Sequence, residues 1–446
     1  MKEFQVAYIP VGVPTFHLES AQIEFEESIQ LLHSISDDVI FPDKMLLTME
    51  DLTSFLDTIS PDFIVLQNIT FANAAYASEV LKRFDCPLIL WTLREPVIDG
   101  GRLRLNSLTG AYSAANAIKS FREGEFEYVF GSPKEDEVKT ELSASIRAAK
   151  MKKDLTQLTL TAIGHTPQGF GFGRALDIDL LKTFGVTLES IEARELIDRA
   201  KGYSEEECAA YLESANHKMK NLSSTPEKNR TDFARLFKAY SDYIKEHHVG
   251  AISSRCWPDF FTAFGTPVCA VLAMLNDEGI AASCETDVYG ALSMYIGRKL
   301  TNQPTFFGDP VSLDEKENTI TYWHCGMAAC SLARSDTGAE VGVHPNRKIG
   351  PTMEFGCKPC DKVTVFRVGR DANGKFRFFL MDGEALDKPK QFLGASIVVK
   401  AEHNAKDIVC QSVKMGFEPH FAVIYGNVSR EIEMLAHMLR IEVCKF

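Results

Sequence analysis

Ala281-Ala282-Ser283-Cys284-Glu285-Thr286-Asp287-Val288-Tyr289-Gly290 reads as the end of a short apolar strand and the opening of a helix. Such a junction delivers the Glu285 carboxylate to the C-terminal rim of a sheet, and the rims of open α/β sheets are where ligands sit. A second acid, Asp309, stands 24 positions later in Thr305-Phe306-Phe307-Gly308-Asp309-Pro310, at the end of the next apolar run. Two parallel strands joined by a crossover helix need about that spacing. The expectation is therefore two carboxylates side by side on one sheet edge, where charges so close repel unless a cation or a shared proton compensates. Each acid alone has a plain structural role, Glu285 favoured by a helix macrodipole and Asp309 a turn residue before proline.

Working outward, Cys256-Trp257-Pro258 also follows an apolar strand, Val249 to Ser254, and Pro419-His420 precedes the strand Phe421 to Tyr425. In the first third, Val6 to Val11, Phe63 to Gln67, Pro87 to Trp91 and Tyr128 to Phe130 alternate with amphipathic helical stretches. A long charged helix over 135–153 then leads to Leu158 to Ile163. Repeated β then α implies parallel sheets covered on both faces. Beyond Thr321 the texture turns β-rich, with Lys362 to Arg370 and Lys375 to Asp382 joined by Asp371-Ala372-Asn373-Gly374, a hairpin signal. The fold class read from these patterns is α/β: two Rossmann-like doubly wound domains, 1–155 and 156–320, then a β-rich, barrel-like C-terminal domain, 321–446, with closing helices. The Gly169-Phe170-Gly171-Phe172-Gly173 loop lacks the order of a phosphate-binding motif and reads as a turn at the edge of a site.

The stretch from Ser253-Ser254-Arg255-Cys256-Trp257-Pro258 through Asn276-Asp277-Glu278-Gly279 to Glu285-Thr286-Asp287-Val288-Tyr289-Gly290-Ala291, with Gly308-Asp309-Pro310, resembles the L-fucose/L-arabinose isomerase superfamily of aldose-ketose isomerases. The resemblance implies a manganese ion, with magnesium or cobalt as substitutes, held by Glu285, Asp309 and His420; His324 competes for the last place. It implies that Glu285 and Asp309 act as base and acid of an enediol mechanism. Carboxylates and an imidazole form a mostly hard donor set that suits manganese or magnesium better than zinc. Substrate-binding candidates are Trp91, Arg94 and Asn106, as stacking face and planar donors, together with Arg255, Trp257 and Asn427. The superfamily completes its sites with a neighbouring subunit, which implies a homo-oligomer, trimer-based and often hexameric, with shared active sites. Arg94, Arg102 and Arg104 could recognise an anionic substituent. That keeps a sulfoquinovose isomerase, turning 6-deoxy-6-sulfo-glucose into 6-deoxy-6-sulfo-fructose, as the first substrate alternative. A noncatalytic sugar-binding relative and a metal hydrolase or aldolase are the alternatives from other classes.

Composition sets the limits. The 446 residues are too many for one core, and a net charge of -13 argues against a nucleic-acid partner. The stretch Met1 to Pro10 lacks a basic region and a long apolar run, and no segment reaches membrane-spanning length, so the expected location is the cytoplasm. Eleven cysteines in apolar settings suggest reduced thiols. Cys325, Cys330, Cys357 and Cys360 could form a four-thiolate zinc site only if their loops meet, and their spacing is not that of a zinc ribbon.

Overall fold

The alternation of apolar runs with amphipathic stretches becomes two compact units in the computed structural model, which describes residues 3–122 and 126–446. Met1 and Lys2, which head the N-terminal stretch quoted above, lie outside the described residues. One unit comprises residues 1–154 and 430–440, the other 155–429 and 441–446.

The first unit runs β1 (Val6–Val11), α1 (Leu18–Ile35), β2 (Val39–Ile40), α2 (Met49–Leu56), β3 (Phe63–Asn68), α3 (Ala74–Arg83), β4 (Leu88–Thr92), α4 (Ser107–Phe121), β5 (Glu127–Phe130) and α5 (Asp136–Leu155). Its sheet is parallel throughout, in the order β2-β1-β3-β4-β5. Successive strand side chains point to opposite faces, so one apolar cluster gathers Val6, Tyr8, Val65 and Trp91 and another gathers Ala7, Ile9, Ile64 and Leu90. A strand buried on both faces must be apolar at every position, which is why Val6–Val11 shows no alternation. The helix Ser429–Leu439, from the far end of the chain, completes this unit. Its Met438 packs on the first cluster, and Arg430 and His437 engage the buried Glu127 at 3.0 and 2.7 Å.

The second unit opens with β6 (Thr159–Ile163), α6 (Asp177–Phe184), β7 (Thr187–Ile191), α7 (Ala193–Gly202), α8 (Glu205–Lys218), α9 (Glu227–Glu246), β8 (Ala251–Ser254), α10 (Cys269–Asp277), β9 (Ala281–Cys284) and α11 (Val288–Thr301). The parallel order β7-β6-β8-β9 puts a reversal of winding between β6 and β8, the place where such sheets bind ligands. There follow β10 (Phe306–Asp314), β11 (Thr319–His324), β12 (Val341–Gly342), β13 (Thr352–Met353), β14 (Cys360–Arg370), β15 (Phe376–Ala385), β16 (Ala395–Ala401), α12 (Ala405–Lys414), β17 (Phe421–Tyr425) and, after α13 (Ser429–Leu439), the helix of the first unit, β18 (Glu442–Lys445). Strands β14-β17-β10-β11-β16-β15 close through the β14–β15 pairing into a six-stranded antiparallel barrel, to which β18 adds in parallel. The β14–β15 turn is the one its Asn-Gly announced: Gly374 takes φ +80°, and the Asp371 carboxylate accepts the N–H groups of Asn373 and Lys375.

One expectation is corrected. Asp309 is not on a parallel strand beside β9; it lies in β10, paired antiparallel with β11 opposite Trp323. Helix α11 leaves the edge strand of the sheet and enters the barrel instead of crossing back, and both routes consume the same length of chain. The change of texture at 320–321 accordingly falls inside β11. Helix α11 is buried almost all round, from Val288 to Gly297, because it packs on β8 and β9 and also on β14 and β17. Its N-terminus thus lies where parallel sheet and barrel meet.

Candidate functional site

Glu285 and Thr286 form the turn between β9 and α11, both in the left-handed region at φ 61° and 53°. For a β-branched threonine that is a strained backbone, costing about 1–3 kcal/mol, and it persists only where the surroundings enforce it. Asp287 caps the helix, accepting the Gly290 N–H at 2.9 Å. The turn therefore projects two carboxylates from one junction. Gly290 is required here, since a Cβ would press on the Phe307 ring and the Asp287 carboxylate.

His420, immediately before β17 and 1% exposed, joins the pieces. Its Nε2 lies 3.2 Å from Glu285 Oε2 and 3.4 Å from Asp309 Oδ1, and its Nδ1 lies 2.9 Å from Asp287 Oδ2. Asp287 also receives two N–H groups from Arg367, a fully buried residue of β14. Burial pushes the Asp287 pKa up, but the Arg367 guanidinium and His420 outweigh it and hold the carboxyl well below the usual range. An ionised carboxylate only accepts, so Nδ1 donates its proton to Asp287, which leaves Nε2 as the nitrogen that faces Glu285 and Asp309.

The acids are pushed in opposite directions. Burial raises both; contact with His420 brings Glu285 out below its ordinary value, while Asp309, also facing the Glu285 charge, stays above. Burial lowers the His420 pKa, and Asp287, Glu285 and Asp309 together lift it to about 10. Without another cation, the imidazolium bridges the acids. Among the described residues no group of three or more His, Cys, Asp or Glu side chains is arranged as a metal cage; here His420 contacts each of the two acids instead. Their chemistry nonetheless fits a hard divalent ion: two carboxylates, and an imidazole whose other nitrogen is fixed by a buried carboxylate, as is usual behind metal-bound histidines.

Aromatic rings wall the cluster. Phe172 and Phe307 lie 5.4 and 4.9 Å from the His420 ring, and Phe170 meets Trp257 edge-on at 6.1 Å. The glycine-rich loop is thus the site's edge, and Gly173 is small for a reason: a Cβ there would come within 2.8 Å of the Asp287 Cα. Trp257 donates its indole N–H to Glu285 Oε1 at 3.3 Å. Trp257, Glu285, Asp309, Trp323, His324, Cys325, His344, Asn346 and Arg347 line one cavity of about 220 Å³.

Residues 352–446 match the L-fucose isomerase C-terminal domain family. Over 442 residues, 99% of both chains, the sequence is 65% identical to the sulfoquinovose isomerase of Clostridium sp. (strain MSTE9). It is 38% identical over 451 residues, again 99% of both chains, to the sulfoquinovose isomerases of Priestia aryabhattai and Priestia megaterium. The chain belongs to the fucose isomerase-like family. As a member of these aldose-ketose isomerases it is an enzyme, which sets aside the noncatalytic reading.

In this isomerase His420, not His324, contacts both carboxylates; His324 is buried nearby, its Nδ1 accepting the Cys325 N–H at 2.9 Å. Arg255 pairs with Asp259 and donates to the Trp257 carbonyl, and Asn427 is exposed between β17 and α13. Of the candidates in the first unit, Trp91 offers no stacking face: it is fully buried in β4, its indole N–H donated to Gly131 O. Asn106 adopts φ 53° before α4 and accepts from Thr109. The arginine cluster is already committed, Arg94 to Glu135, Arg102 to Thr15 O and Arg104 to Asp99. The four cysteines considered for zinc do not converge: Cys360 donates to Lys362 O, and Cys325 turns to His324. The thiols that do gather are Cys256, Cys269, Cys284 and Cys325, with the first two sulfurs 3.7 Å apart, behind the Glu285 turn.

Asp287, Arg367, Phe172 and Arg347 brace or line this site and were not singled out from the sequence. Arg367 carried a signal, being a charge inside the largely apolar run Val363 to Val368.

Proposed function

We propose that this isomerase interconverts sulfoquinovose and 6-deoxy-6-sulfo-fructose, with manganese, or magnesium or cobalt in its stead, as resident ion. The substrate reading is supported by the relative at 65% identity over 99% of the chain. The observation that carries the chemistry is the contact of one buried imidazole with two carboxylates from separate elements.

Moving a carbonyl between C1 and C2 takes a proton from one carbon and returns one to the other through an enediol. Glu285, Asp309 and His420 Nε2 would hold the ion, which when bound supplies electrophilic stabilisation to the sugar oxygens as negative charge develops. Arg367 and Asp287 fix the His420 ring, and Trp257 fixes one Glu285 oxygen. Phe170, Phe172 and Trp257 keep bulk water away. Glu285 and Asp309 would be the base and acid that move the proton, as the superfamily resemblance implies. The proposal includes a cytoplasmic, trimer-based or hexameric homo-oligomer with shared active sites, resting on the superfamily resemblance.

The test is a panel of aldoses, neutral, 6-deoxy and 6-sulfo, assayed for ketose with manganese, alongside Glu285→Gln. Ketose from the sulfo-sugar, lost in the variant with folding retained, supports the proposal. Turnover of neutral sugars alone, or an active variant, overturns it.

A further inference from the structure

We infer that Arg347 reads the end of the sugar remote from the reacting carbons, binding a tetrahedral oxyanion there. The inference rests on the proposed function and names the group that selects its substrate.

Arg347 lines the same cavity as Glu285 and Asp309. Its guanidinium lies against two rings, 4.8 Å from Trp257 and 5.2 Å from Phe261. Among the described residues it has no hydrogen-bond or ion-pair partner. Of the other arginines around the site, Arg255 is spent on Asp259 and Arg367 on Asp287, and Arg174, at the outer end of the glycine-rich loop, donates to the Thr166 hydroxyl and does not line this cavity. Stacking fixes the plane of a guanidinium while leaving its N–H edges open, the arrangement that takes two oxygens of an oxyanion at once.

Position supports the same reading. Trp257 serves both groups, its N–H on Glu285 and its ring under Arg347. Allowing for the width of an indole, the guanidinium carbon is within roughly 10 Å of the Glu285 carboxylate. An extended six-carbon sugar reaches about 6–7 Å from C1 to C6, given carbon-carbon bonds near 1.5 Å. A substituent on C6 therefore falls within reach of Arg347 when C1 and C2 lie beside Glu285. A negative terminus would meet repulsion from Glu285 and Asp309 alone, and the unpaired guanidinium is the charge that offsets it. Sulfonate and phosphate share this chemistry; the substrate proposed above carries sulfonate.

The experiment compares wild type, Arg347→Met and Arg347→Lys on 6-sulfo-glucose, glucose 6-phosphate and 6-deoxyglucose. Calorimetric binding of the same sugars to chelator-treated protein gives a readout independent of turnover. Arg347→Met should weaken binding of the sulfo-sugar about 10- to 100-fold, as expected for loss of charge-assisted hydrogen bonds, and raise KM far more than it lowers kcat. The loss on 6-deoxyglucose should be much smaller than on the sulfo-sugar, and Arg347→Lys should restore part of the sulfo-sugar's loss. Preference for the phosphate over the sulfonate in wild type would make the oxyanion a phosphate, overturning the substrate reading but not the role of Arg347. Wild-type turnover of the sulfo-sugar with equal affinity in Arg347→Met overturns the inference and leaves the function standing. Wild type that neither binds nor turns over any anionic sugar overturns both.

Discussion

Replacing Asp287 by asparagine keeps the side chain's shape and removes its charge, so what is lost can be counted. The carboxylate accepts the Gly290 N–H, two N–H groups of Arg367 and Nδ1–H of His420, which occupies all its acceptor sites. Arg367 is fully buried, and in the variant its charge has no counter-ion. Removing one partner of a buried pair costs about 3–5 kcal/mol, and no cavity arises to add to it. The variant should lose that much stability in chelator-treated protein, measured by urea unfolding followed through fluorescence; Trp257 and Trp323, two of the three tryptophans, report on this unit. The acid limb carries the sign. A carboxyl depressed in the folded state stabilises above its unfolded pKa, near 3.9, and loses that contribution as pH falls below it. Wild type and variant should therefore begin to converge below about pH 4 and meet only as pH falls through the much lower native value. With the His420 ring no longer held, manganese affinity should also fall about 10- to 100-fold. An unchanged urea midpoint with parallel acid limbs would refute the buried-pair argument.

His420→Gln should abolish turnover and remove an alkaline limb from the chelator-treated protein. The native His420 pKa is lifted to about 10, so its stabilisation is complete below the unfolded value near 6.5 and is lost as pH rises through the native one; melts between the two values check this. Gly173→Ala drives a methyl against the Asp287 backbone. It should cost about 1–3 kcal/mol by overpacking and depress kcat, whereas Gly171→Ala, with open space around it, should do neither.

The residues brought together here were legible to different degrees, for physical reasons. Glu285 could be read because a strand-to-helix junction has a local signature and its direction follows from the chain. The closeness of Glu285 and Asp309 was readable, but not its cause, because 24 residues serve equally for a parallel crossover and for a helix entering a barrel. His420 took its place from the family resemblance; periodicity alone left it a residue before a strand. Asp287 and Arg367 were hidden because their value lies in a contact 80 positions apart, and β14 is buried on both faces around Arg367, so no alternation points to its partner. Trp91 misled because an aromatic at a strand end looks the same whether its ring faces solvent or a core.

The unit built around β1 to β5 borrows its last helix from residues 430–440. During synthesis, the first 154 residues leave the ribosome long before that helix exists. Until it arrives, Glu127 waits without Arg430 or His437, and the apolar surface that receives Met438 is bare. The part of the protein made first is therefore finished last, and a fragment ending at residue 154 would be an unfinished piece rather than an independent module.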